Sequence, residues 1–503
     1  MNQHPAIIQG GMGAGVSSWR LAQAVSRLGQ LGVVSGTALD QILVRRLQDG
    51  DPGEHMRRGL AALPFPQMAQ RILRDYFIPG GKAPAAPYRT TPPHSIDDPR
   101  ELIELCIAAN FVEVFLAREG HANPVGINYL EKVQLPHLPS LYGAMLAGVG
   151  YVLMGAGIPL HVPGVLDRLA EHQPAEYPLH ITGAREGETT VMHFNPRDYW
   201  ESDAAPGDRA PLRRPAFLAI VSSSTLATTM LRRANGRVDG LVIETRTAGG
   251  HNAPPRGKLQ LTSQGEPLYG ERDAIDLGTI RDLGAPFWLA GGYGSASKLQ
   301  EALALGATGV QVGTAFAFTR ESGLREDLKQ ALLDKARAGD AHIFTDPLAS
   351  PAGFPFKVAQ LEGTASDDAV CAARPRICDL GFLSEVVRAE DGTLIHRCPA
   401  EPLSLFLSKG GKAEDATGRK CLCNALMANI GHQQVRCGTH VEPPLVTAGD
   451  DLTQIARFLP DSAATYGAAD VLNALLPPQV PCAPFHGTPS HSATAEPMLQ
   501  ARG

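Results

Sequence analysis

Short runs of apolar residues, each too short for a helix, recur along the first two thirds of this chain. They cover residues 6–9, 31–35, 125–130, 150–154, 217–221, 240–244, 286–290 and 309–312. Most are continuous and rich in β-branched residues, as in strands buried on both faces. Between them apolar residues recur every three or four positions. After Ser17 and Ser18, Leu21, Val25 and Leu28 share one helical face, and Gly29 stops the helix. Ser222 to Ser224 precede Leu226, Met230 and Leu231, with Gly236 as the stop; Ser295 or Ser297 precedes Leu299 and Leu303, with Gly306. Eight such strand–helix units predict an α/β fold, a TIM (β/α)8 barrel over about residues 1–335.

The rhythm is interrupted twice. Residues 40–120 read as a helical insertion with a Pro-rich connector at 79–93. Asp97 or Asp98 with Pro99 starts a helix whose buried face is Leu102, Ile103, Cys106 and Ile107, and Phe111 to Leu116 reads as a strand. Residues 175–210 carry a hairpin, the runs LHIT and TVMHF around the polar turn AREGE. Residues 141–166 contain no charged side chain and are long enough to span a membrane. Their six glycines and two prolines predict a small-residue helix, a strand and a turn instead. Residues 336–476 are expected to form a mainly helical extension, and 477–503, rich in Pro, Ala, Ser and His, a disordered tail.

Composition narrows the picture without changing it. The net charge of −6 and pI near 6.2, with no basic run, provide no electrostatic footprint for nucleic acid. The start MNQHPAIIQGG lacks a signal-peptide pattern, so a cytoplasmic protein with reduced thiols is expected. Seven of the eight cysteines lie beyond residue 370. Their spacings, C-x6-C from Cys371 to Cys378 and C-x-C at Cys421 and Cys423, match no standard zinc knuckle, and no metal site is assigned. His432 and His440, flanking Cys437, read either as ligands or, as is commoner for such histidines, as surface residues.

The candidate chemistry lies just past strand ends, where parallel α/β proteins place it. The run from Asp239 to Pro255 ends its strand at Glu244 and continues into a loop with Gly249, Gly250 and His251. An imidazole there can give or take a proton near neutral pH. The loop Gly10-Gly11-Met12-Gly13 follows the first strand as a dinucleotide fingerprint does. The next strand, however, ends in Gly36, Thr37 and Ala38 and not in the acidic residue that fingerprint needs. The glycines therefore read as a contact for a flat cofactor. Gly291, Gly292 and Gly294, then Gly313 and Thr314, form two successive glycine turns on the last two strands, suited to a phosphate. Asn128, near a strand end, is placed to bond a cofactor ring or loop backbone.

IIQGGMGAG, TAGGHN, LAGGYG and VQVGTAF, in that order, resemble the nitronate monooxygenases, a superfamily that includes FMN-dependent enoyl-acyl-carrier-protein reductases. The resemblance covers the barrel. It implies FMN at the barrel mouth, with Gly10, Gly11 and Met12 along the flavin, Asn128 near its ring and Gly249 and Gly250 beside it. It also implies Gly291, Gly292, Gln311, Gly313 and Thr314 on the phosphate side. His251 matches the family's active-site histidine, and Glu244 joins it as a candidate catalytic group. Simple members carry glutamine where this chain has Glu244, and Arg246 is a candidate partner for that carboxylate. The hairpin and Glu244 look more like the enoyl reductases of fatty-acid and polyketide synthases. The implied activity is oxidation of alkyl nitronates with O2 to a carbonyl compound and nitrite. The alternatives are an NAD(P)H-dependent enoyl thioester reductase and a flavin-binding accessory protein. The extension is expected to cover the mouth, close the pocket or form a homodimer.

Overall fold

The computed structural model describes residues 4–201, 209–436, 440–460 and 463–476. Eight parallel strands make up its main sheet. They are β1 (Ile7–Gln9), β2 (Gly32–Ser35), β3 (Val125–Leu130), β4 (Tyr151–Gly155), β5 (Ala216–Val221), β6 (Gly240–Glu244), β7 (Phe287–Ala290) and β8 (Gly309–Val312). Pairing runs β1-β8-β7-β6-β5-β4-β3-β2, and a parallel bridge between Ile8 and Leu31 joins the two ends. The Gln9 N–H donates to the Leu31 carbonyl at 2.9 Å and the Leu31 N–H to the Ile7 carbonyl at 3.1 Å. The sheet is thus closed, and the expected (β/α)8 barrel is present.

The continuous apolar runs follow from this closure. Ile8, Val33, Leu153, Leu218, Val242 and Trp288 form a core inside the barrel. Their strand neighbours Ile7, Val34, Val152, Phe217, Leu241 and Phe287 belong to the larger core beneath the helices. Each strand therefore buries both faces. Trp288 also donates its indole N–H to the Pro5 carbonyl at 2.8 Å, which satisfies its one polar atom.

Phe111 to Leu116 is not a strand. It lies within the 19-residue helix Arg100–Arg118, which packs against helices Trp19–Arg27, Leu39–Gln48 and His137–Leu146. Being buried on nearly all sides, that helix lacks a polar face, and its apolar run looks like a buried strand. The hairpin forms between Ala175–Leu179 and Thr190–Phe194. The expected arm LHIT is split, because Ile181–Thr182 pairs in parallel with Glu385–Arg388 of the extension. Residues 141–166 become a helix end, β4, a turn and the start of helix Val162–Ala170. Among the described residues no helix is long and apolar enough to cross a membrane.

The extension follows helix Glu326–Ala338, which Gly339 ends at φ 72°. It was expected to be mainly helical and also carries three antiparallel strand pairs, Ile343–Asp346 with Phe356–Ala359, Glu385–Arg388 with Leu394–Arg397, and Val435–Arg436 with His440–Val441. The expected tail 477–503, together with Cys437 and Cys482, lies outside the described residues.

Candidate active site

A cavity of about 520 Å³ opens at the C-terminal ends of the barrel strands. Every site residue expected from the sequence lines it. Gly10, Gly11 and Met12 follow β1, and Asn128 stands on β3. Glu244 ends β6, and Gly249, Gly250 and His251 follow it. Gly291 and Gly292 follow β7; Gln311, Gly313 and Thr314 come from β8 and its turn. The extension supplies much of the remaining wall, including Phe354, Phe356, Leu422, Cys423, Thr447 and Asp451. Of the roles foreseen for it, covering the mouth is the one the packing displays.

The floor is held by buried polar side chains that the motifs did not single out. Gln9 accepts from the Val33 N–H at 3.0 Å and donates to Ser17 Oγ at 2.9 Å. Ser17 in turn accepts from the Met12 N–H at 2.9 Å and donates to the Gly10 carbonyl at 3.0 Å. These bonds fix the glycine loop from below. Gly11 sits so close to β3 that a Cβ would stand 2.5 Å from Asn128 Cβ. At β7, Gly291 has φ +85°, and a Cβ there would lie 2.4 Å from Thr245 Oγ1.

The loop carrying His251 is pinned by the extension. The Gly250 N–H donates to Thr447 Oγ1 at 2.9 Å, the Lys357 N–H to the Gly250 carbonyl at 2.9 Å and the Asn252 N–H to the Pro355 carbonyl at 2.9 Å. His251 Nε2 lies 2.6 Å from Ser350 Oγ, and its ring meets Phe356 edge-on at 4.9 Å. Burial, reinforced by the nearby charge of Lys132, holds the imidazole well below its ordinary value, so it is neutral at pH 7. Lys132 lies over the Phe354 ring, 3.7 Å from its centre, and its buried ammonium has no hydrogen-bond partner among the described residues. Burial pulls that group down to about 7, with Glu131 opposing. Burial alone pushes the Glu244 carboxyl up to about 7. Arg246 is not its partner, because its guanidinium lies over the Tyr269 ring instead.

The cavity suits a flat, heteroatom-rich group carrying an anionic tail. Asn128 Oδ1, Gln311 Oε1 and Asn252 Oδ1 are buried without a partner among the described residues, and all three side chains line the cavity. They offer acceptors to ring N–H groups. The turns at Gly291–Gly294 and Gly313–Thr314 offer backbone N–H groups to a phosphate, and helix Ala296–Ala304 begins beside the first of them. One carboxylate sits at that end: a Cβ on Gly294 would stand 2.8 Å from Asp451 Oδ2. Burial raises the Asp451 carboxyl, against the pull of Arg457. The residues therefore fit FMN at both ends.

Residues 210–348, which contain the last four barrel strands, match the nitronate monooxygenase family. By sequence, the chain is similar to nitronate monooxygenases. It is 28% identical over 283 residues to the nitronate monooxygenase of Pseudomonas aeruginosa strain PAO1, a match covering 55% of this chain and 69% of that one. It is 33% identical over 119 residues to a probable nitronate monooxygenase of Staphylococcus haemolyticus, covering 24% of this chain and 32% of the relative's length. Among solved structures it is similar to the nitroalkane oxidase of Streptomyces ansochromogenes, with 16% identity, a TM-score of 0.42 and 94% of each chain covered. It is also similar to FabK of Thermotoga maritima, with 19% identity, a TM-score of 0.36 and 72% of each chain covered.

Sequence reasoning missed Lys132, Ser350, Phe354, Phe356 and Asp451. Gln9 had a signal: a polar residue inside an otherwise apolar strand needs a buried partner. The others had none, since each becomes part of the site only through contacts across the fold.

Proposed function

We propose that this chain is an FMN-dependent oxidoreductase that oxidises alkyl nitronates with O2 to a carbonyl compound and nitrite. The observation that carries this reading is a neutral imidazole, His251, above a floor of glycines, with the buried and unpartnered ammonium of Lys132 acting on it from the wall of an adjoining cavity. Bound FMN supplies the electron transfer and the reaction with O2. Gly10, Gly11, Met12, Asn128, Gly249, Gly250 and Gln311 would hold its ring side, and Gly291, Gly292, Gly313 and Thr314 its phosphate. With Nε2 held by Ser350, the His251 imidazole either donates a hydrogen bond to a nitronate oxygen or takes the α-proton of the neutral nitroalkane. An anion beside Lys132 favours the charged ammonium and offsets its desolvation, which orients the nitro group. Phe354 and Phe356 keep water from the imidazole.

A second reading has its own support. A cavity of about 550 Å³, lined by Lys132, Arg397 and Arg419, adjoins the first through Val133, Phe354, Phe382 and Leu383. That is more room than a small nitronate needs, and it suits a longer acyl thioester reduced at the expense of NAD(P)H. The test is the visible spectrum of the purified protein before and after anaerobic nitronate. A flavin spectrum that bleaches, with O2 uptake lacking any need for NAD(P)H, supports the first reading. A flavin that ignores the nitronate, with NADPH oxidation dependent on an enoyl thioester, supports the second. No flavin, even after FMN is added back, refutes both.

A further inference from the structure

Four of the C-terminal cysteines, scattered over 46 residues of sequence from 378 to 423, line one void of about 10 Å³. Cys378 comes from a loop, Cys398 follows strand Leu394–Arg397, and Cys421 and Cys423 stand at the start of helix Leu422–Asn429. Among the described residues every cysteine is a free thiol. A void of this size is at the lower limit for one water, which needs two to four polar partners. This lining offers mainly sulfur and carbon, with Pro351, Gly381, Leu383 and Leu422 among it.

We propose that Cys378, Cys398, Cys421 and Cys423 form a four-thiolate centre for a thiophilic metal, either a zinc ion or an iron–sulfur cluster. Soft thiolates select such metals, and both take four cysteine ligands. Among the described residues, no three of these sulfurs lie within 4.8 Å of one another. Zinc, at about 2.3 Å from each sulfur, sets them about 3.8 Å apart and requires the side chains to rotate inward. A cluster spaces its four sulfurs more widely than zinc does and needs the void, about 10 Å³ here, to open around it. The tighter set Asp40, His94 and Cys106 is different in kind. His94 is hydrogen-bonded to Asp98 at 2.6 Å and Asp40 at 3.2 Å, and despite burial these neighbours keep its imidazole charged. It acts as a buried counter-charge.

The centre ties together three loops in a region with few strand residues, and metal binding of this kind contributes folding free energy. It also reaches the active site, because Leu422 and Cys423 line both the void and the main cavity. The metal would thus hold one wall of that cavity in place.

The experiment uses untagged full-length protein, grown with added zinc and iron and purified without chelators. Metal is measured by mass spectrometry and cluster sulfide by acid release. About one zinc per chain, or iron with matching sulfide, is expected. Cys398→Ser and Cys421→Ser should each lower the metal at least about fivefold, while Cys106→Ser leaves it unchanged. Less than about a tenth of an equivalent of any metal in the wild type overturns the proposal, as does full metal content in both serine variants. If those variants are insoluble, mercurial titration of the wild type decides. Metal released in step with four thiols supports the centre, and release without thiol modification overturns it.

Discussion

Replacing Glu244 by glutamine tests the electrostatics of the cavity with almost no change of shape. The carboxyl sits at the end of β6 among cavity residues, and burial raises it from 4.5 to about 7. Below pH 4.5 both folded and unfolded chains carry it protonated, and it costs nothing. Between those values the unfolded chain releases its proton first, so stability falls as pH rises. The linkage amounts to about 2 kcal/mol at pH 6 and about 3 kcal/mol at pH 7, with a plateau near 3.4 kcal/mol above pH 8. Glutamine removes that cost. The variant should match the wild type at pH 4.5 and exceed it increasingly towards pH 8, by about 3 °C in thermal midpoint. The assay is the midpoint difference between the two proteins, each stripped of bound cofactor, from pH 4.5 to 9. A difference that does not vary with pH, or a wild type that gains at high pH, refutes the reasoning. The second result would mean that the carboxylate has a cationic partner.

Other changes probe the site separately. His251→Ala should keep the flavin spectrum but lose about 10²–10⁴ in turnover; wild-type rates would remove His251 from the chemistry. Lys132→Met deletes an ammonium that burial lowers from 10.5 to about 7. Its penalty grows as pH falls from 10.5 to 7 and reaches up to about 4.8 kcal/mol below that, less whatever water in the cavity returns. The variant should therefore gain more thermal stability at pH 6 than at pH 10, while its KM for an anionic substrate rises. Gly291→Ala places a Cβ 2.4 Å from Thr245 Oγ1 at a φ of +85°. It should cost about 1–3 kcal/mol and weaken FMN retention, measured by flavin fluorescence on dilution.

The eight barrel strands and the glycine turns at their ends were legible in the sequence because their causes are local. A strand buried on both faces has to be apolar at every position. A turn that presses on a neighbour, as Gly11 does on Asn128, has to lack a side chain. Helix Arg100–Arg118 was legible only at its start, since full burial erased the polar face that marks a helix. The chemistry of the site was legible in part. His251 and Glu244 could be found at strand ends, but not their charge states. Burial alone sets that of Glu244, and burial with the charge of Lys132 sets that of His251, whose ring is enclosed by Phe356 and by Ser350, 99 residues away in sequence.

The sequence alone thus determined the order of the eight barrel strands and where backbone could approach a flat ligand. The tertiary structure decided what surrounds each ionisable group, because desolvation and Coulomb energy depend on distance in space. It also decided that the C-terminal extension, unmatched by any motif, pins the His251 loop and walls the cavity, through bonds such as Gly250 N–H to Thr447 Oγ1 that join residues 197 positions apart.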